Sequence, residues 1–76
     1  MVNIRISPNP VKDYLYVFAE DKVLDIQINN IQGKTVFSKA LNTDFATLNI
    51  SNLPNNLYFV VIRTSTQMVT KKVLIY

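Results

Sequence analysis

Six consecutive apolar residues, Leu57-Tyr58-Phe59-Val60-Val61-Ile62, set the strongest constraint on this chain. A run of that length does not suit a half-solvated surface. Its β-branched and aromatic types favour a strand over a helix, so it reads as a central strand buried on both faces. Pro54-Asn55-Asn56 immediately before it marks the turn that delivers the chain into it. The rest of the sequence reads as shorter strands gathered around this one.

Ile4-Arg5-Ile6 alternates apolar and polar residues and then meets Ser7-Pro8-Asn9-Pro10. Two prolines there fix φ and push the residues before them toward extended geometry, which predicts a short edge strand and a bend. Tyr14 to Ala19 is the next strand, with Leu15 and Val17 on one face and Tyr14, Tyr16 and Phe18 on the other. Both faces are apolar, so the aromatic face needs covering. Glu20-Asp21-Lys22 reads as a polar turn, after which Leu24, Ile26 and Ile28 alternate with Asp25, Gln27 and Asn29. Asn29 to Lys34 supplies a turn in which Gly33, the single glycine, is expected at positive φ, pinning a hairpin. Thr35 to Leu41 is the return strand, Asn42-Thr43-Asp44 a further polar break, and Thr47 to Ile50 a short strand closed by Ser51-Asn52-Leu53-Pro54. The central strand runs to Thr64, Ser65-Thr66-Gln67 turns the chain, and Met68 to Tyr76 is the last strand.

Seven strand candidates separated by turn signals, with no apolar stripe of helical period, predict an all-β fold: a seven-stranded antiparallel sandwich of immunoglobulin-like type. The alternation predicts a core of Leu15, Val17, Ile26, Ile28, Val36, Leu48, Ile50, Leu53, Tyr58, Val60, Ile62 and Val73. At 76 residues and 8.7 kDa the chain is a single domain over 1–76. Surface scaling gives roughly 4,700 Å² exposed out of about 12,600 Å² unfolded, enough burial for one thin core.

A net charge of +3, spread from Arg5 to Lys72, is too small and too scattered for a nucleic-acid footprint. The longest apolar run is far too short to span a bilayer, so no direct membrane insertion is expected. Absence of cysteine removes a disulfide framework and thiolate chemistry without locating the protein. Met1-Val2-Asn3 leads straight into a strand pattern without a basic or long apolar leader, as an expressed domain cut from a larger protein would, although a small native protein reads the same way.

With neither histidine nor cysteine, the chain lacks the parts of the common catalytic triads and zinc sites. Asp13, Glu20, Asp21, Asp25 and Asp44 fall at turns or on a wet strand face, where a carboxylate keeps its solvation. They read as turn and solubility residues rather than an acid–base pair, and the chain is expected not to be an enzyme and to need no cofactor. A calcium site from Glu20, Asp21 and Asp25 is the weaker reading, since nothing here resembles an EF-hand loop. Asn49-Ile50-Ser51 satisfies the glycosylation pattern, which recurs by chance at three residues. Tyr14, Tyr16 and Phe18 are either cross-strand packing, the favoured reading, or a stripe that holds a sugar or a partner strand. Lys71-Lys72 either guards an edge strand or meets an acidic partner.

Four features in order carry a resemblance: Pro8-Asn9-Pro10 followed by Leu15 and Val17; Ile26-Gln27-Ile28-Asn29-Asn30 leading to Gly33-Lys34; Leu53 before Tyr58; and Lys72-Val73-Leu74-Ile75 at the end. Over residues from about Ile6 to Tyr76 the chain resembles the C-terminal sorting domain, type A, of the type IX (Por) secretion system. In Bacteroidetes, proteins of this kind carry the domain as their last segment, behind a cargo that reaches the periplasm by its own signal. The resemblance implies that outer-membrane translocon and shuttle proteins recognise the folded domain, and that a sortase-like peptidase then cuts it off. The cargo would pass through the periplasm to the cell surface or beyond, and this chain would be a fragment of a larger secreted protein.

Carried over by position, the resemblance makes Pro8, Asn9, Pro10, Gly33 and Tyr58 residues that shape the fold. It places partner recognition on Lys72, Val73, Leu74 and Ile75, with Lys71 as a further candidate. An edge strand with a basic residue and unpaired backbone groups is suited to docking by strand addition. The same edge invites pairing between copies of the chain. Asn56 stands where the family usually has glycine; asparagine tolerates left-handed φ, so the turn is expected to survive. Ser7 stands where the family often has an aromatic residue. The alternative function is a carbohydrate- or surface-binding β-sandwich module of an extracellular enzyme, using Tyr14, Tyr16 and Phe18.

Overall fold

The structure, a computed structural model, describes residues 3–76; the leader reading of Met1 and Val2 lies outside the described residues. Five strands account for the fold: β1 (Ile4–Ser7), β2 (Tyr14–Asn29), β3 (Thr35–Asn49), β4 (Asn56–Thr64) and β5 (Met68–Ile75). Every strand pair is antiparallel, in the order β1-β2-β4-β5 with β3 also on β2. The all-β, antiparallel expectation holds. Seven separate strands do not.

The difference arises at two polar triplets. Glu20-Asp21-Lys22 lies inside β2 and Asn42-Thr43-Asp44 inside β3, where turns were expected. They face each other across the β2/β3 hairpin, where the register slips between Phe18↔Phe45 and Val23↔Thr43. Extra residues at such a slip bend and twist the strand without ending it. Each long strand therefore serves the sheet twice. Tyr14–Phe18 of β2 lies between β1 and the end of β3, while residues 23–29 lie between the start of β3 and β4. The sheet curls so that Leu15 and Val17 share one core with Ile26, Ile28, Val60 and Ile62.

All of the expected core residues are buried except Val36 and Leu53. Leu53 packs against the core while partly exposed. Val36 is the extra residue of a bulge, because Ile28 pairs with Phe37 and Asn29 with Thr35. The bulge turns Val36 outward and gives its inward place to Phe37. Another bulge sits at Leu24, where Val23↔Thr64 is followed directly by Asp25↔Arg63, so Val23 is buried and Leu24 is half-buried. Ile4, Val11, Ala46 and Ile75 complete the core.

β4 is central, flanked by β2 and β5. Its apolar run is nonetheless not buried on both faces. Tyr58, Val60 and Ile62 point into the core, while Leu57, Phe59 and Val61 are half-buried on the outer face. The sheet has one core, and that outer face is shielded by its neighbours' side chains alone.

Gly33 sits at φ 84°, as the hairpin turn requires. Asn30 organises that turn: its Oδ1 accepts the N–H groups of Gln32 and Lys34, and its own N–H donates to the Lys34 carbonyl.

Candidate functional site

The C-terminal strand β5 alternates cleanly. Val73 and Ile75 lie in the core, Lys71 is half-buried on the same face, and Lys72 and Leu74 stand on the exposed face. The five residues expected to meet a partner thus divide into two groups. Lys72 and Leu74 present side chains outward, while Val73 and Ile75 hold the strand in place. Lys71 is a charge on the inward face of an edge strand, a device that discourages uncontrolled pairing.

The outer edge of β5 carries free backbone groups along only part of its length. Asn9 lies against it. Its Nδ2 donates to the Lys72 carbonyl at 3.0 Å, and its Oδ1 accepts the Leu74 N–H at 3.1 Å. The planar carboxamide carries one donor and one acceptor side by side, so it substitutes for a residue of a neighbouring strand. Val11 continues the pairing in parallel: its N–H donates to the Leu74 carbonyl at 2.8 Å, and Tyr76 N–H donates to the Val11 carbonyl at 3.0 Å. Pro8 and Pro10, each preceded by a cis peptide bond, flank Asn9 and bring no N–H of their own. From the Lys72 carbonyl to the Tyr76 N–H the edge is therefore occupied, including the part on which self-pairing was expected to rely.

The other motif residues are structural. The buried Tyr58 donates its hydroxyl to the Pro54 carbonyl at 2.7 Å, tying the start of β4 to the turn before it. Asn56 does not use a left-handed conformation, since no non-glycine residue among those described has positive φ. It is the first residue of β4, paired with Ile75, and its Oδ1 accepts the Leu57 N–H.

Tyr14, Tyr16, Phe18 and Phe45 form an exposed aromatic face. Phe45 was missed in this role because β3 had been read as broken just before it. Its ring lies 4.8 Å from that of Phe18 and stacks within 13° of Tyr16 at 6.4 Å. Cross-strand packing is thus real, yet the four rings stay accessible.

The carboxylates do not converge. Asp25 is ion-paired with Arg63, Glu20 accepts the Asn3 N–H, and Asp21 accepts the Lys22 N–H. Among the described residues no acidic group forms a metal-binding cluster. Asn49, of the glycosylation pattern, accepts the N–H and hydroxyl of Ser51.

The sequence places Asn9 among the fold-shaping residues without revealing the edge of β5 as its partner. Nothing local marks a residue whose partners lie 63 and 65 positions away. No curated protein matches the chain. Residues 5–76 match the family described as the secretion system C-terminal sorting domain, a match that runs through all five strands.

Proposed function

The chain belongs to the secretion system C-terminal sorting domain family, and from that membership we propose how it acts. The domain is a type IX secretion signal, and it directs export toward the outer membrane and cell surface. In our reading it follows a cargo protein. Translocon and shuttle proteins of the outer membrane bind the folded domain, the cargo crosses, and a sortase-like peptidase severs the domain from it. The domain contributes a recognisable surface and no catalysis.

The observation that carries this reading is the family match across the whole sheet. The joining of the Pro8-Asn9-Pro10 segment to β5 supports it further. Recognition by a partner needs a rigid presentation of Lys72 and Leu74. Burial of Val73 and Ile75 from one side, and pairing by Asn9 and Val11 along the edge, provide that rigidity. We read the curled antiparallel sheet as an immunoglobulin-like sandwich in architecture, a compact label for a partner to recognise.

The test is an export assay. Residues 2–76 are fused behind a fluorescent reporter bearing a signal peptide and expressed with and without a working type IX translocon. Reporter at the surface or in the medium only with the translocon is the expected result. Reporter held in the periplasm of both strains, with the domain folded, would overturn the reading. The exposed face of Tyr14, Tyr16, Phe18 and Phe45 would then favour the second reading, a glycan- or surface-binding module.

A further inference from the structure

Beyond Asn9, the edge of β5 opens again, and it does so opposite β1. The Leu74 N–H points away from β4, so the alternation of an antiparallel ladder turns the backbone groups of Met68 and Thr70, and the N–H of Lys72, outward as well. On β1 the Asn3 carbonyl accepts the Glu20 N–H, which places Asn3 toward β2 and turns the backbone groups of Ile4 and Ile6 away from it. Among the described residues, neither set has a strand partner. The two sets line one groove of about 550 Å³, walled by Ile4, Arg5 and Ile6 on one side and Thr70, Lys71 and Lys72 on the other, with Asn9 at its end.

The groove is cationic. Arg5, Lys71 and Lys72 contribute to it, no acidic residue lines it, and none of the three has an ion pair among the described residues. Arg5 and Lys72 lie on the exposed faces of their strands, while Lys71 shares the inward side with Ile4 and Ile6.

We infer that this groove binds an extended acidic segment of a partner protein, paired with the outward edge of β5. Five residues from Met68 to Lys72 span about 16 Å, so a segment of similar length fits before it meets Asn9. Successive side chains of a strand point to opposite faces. Those pointing out meet Arg5 and Lys72 and are carboxylates; those pointing in meet Ile4, Ile6 and the aliphatic stem of Lys71 and are apolar. The required pattern is acidic residues at every second position. A second copy of this chain is a poor occupant, because its β5 carries Lys71 and Lys72 and no carboxylate to meet Arg5 and Lys72. The inference takes from the sorting reading only that the partner is a protein.

The test is an NMR titration of the isotopically labelled chain with a capped Thr-Glu-Val-Glu-Val-Glu-Thr peptide and its counterpart with Lys in place of Glu. The expected result is shifts at Ile4, Ile6, Met68, Thr70 and Lys72 with the acidic peptide, weakening as salt rises. Arg5→Glu with Lys72→Glu should lower acidic-peptide affinity about tenfold or more and transfer the preference to the basic peptide. Thr70→Pro removes an outward N–H, which an edge position tolerates, so the fold should persist while binding is lost. Equal affinity for both peptides, shifts centred on Tyr16, Phe18 and Phe45, pairing of β5 between copies, or no shift at millimolar peptide would each overturn the inference. The titration needs no translocon. Binding therefore supports the groove even if export fails, and its absence overturns the groove even if export succeeds.

Discussion

The N–H of Leu74 donates to Oδ1 of Asn9 across a separation of 65 residues, so one side chain near the start of the chain closes the edge of its last strand. The same carboxamide holds the Lys72 carbonyl. Asn9→Ala removes both bonds. The site is exposed, so water replaces part of what is lost, and the expected cost is about 1–2 kcal/mol in urea unfolding. Amide exchange should accelerate at Leu74 more than at residues in β2. Unchanged exchange at Leu74 would mean that Asn9 does not hold the edge.

Gly33 has open space where a Cβ would stand, so its need is conformational rather than steric against neighbours. Gly33→Ala should cost about 1–2 kcal/mol through its positive φ, and Gly33→Asn less. Thermal unfolding of the two variants separates these values. Equal costs would show that the turn has rearranged.

Ile75 and Leu74 are adjacent and divide the work of β5 between them. Ile75→Ala empties a core position and is expected to cost about 2–4 kcal/mol. Leu74→Ala removes an exposed side chain and should stay within about 0.5 kcal/mol of the parent. If Leu74 is read by a translocon partner, the second variant lowers export while keeping stability. Export that tracks only stability would remove Leu74 from the recognition surface.

The aromatic face distinguishes the two functional readings. Tyr16→Ser with Phe18→Ser breaks the stack with Phe45. It should lower stability by about 1–3 kcal/mol while leaving export at a permissive temperature unchanged. Retention on a glycan column by the parent, lost in the double variant, would instead support the carbohydrate-binding reading.

The strand segments themselves were legible because side-chain alternation is a local property. Leu15, Val17, Ile26, Ile28, Val60 and Ile62 all lie in the core where alternation places them. Gly33 was legible for a similar reason, since one residue type suits the φ its turn demands. Val36 was not, because a bulge reverses the alternation and depends on what stands across the ladder. Nor were the bends at Glu20-Asp21-Lys22 and Asn42-Thr43-Asp44. A polar triplet suits a corner as well as a turn, and pairing between β2 and β3 decided for the corner.

By itself, then, the sequence determined an all-β chain, its hairpin, most of its core, and the motifs that tie it to a sorting family. It did so because burial pattern and turn chemistry are written in neighbouring residues. The tertiary structure alone decided that seven segments become five strands, and that Asn9 and Val11 occupy the end of the β5 edge. It alone set Arg5 and Lys72 along one groove. These facts follow from pairing between residues distant in sequence, and backbone hydrogen bonds across such distances carry no local sequence signature.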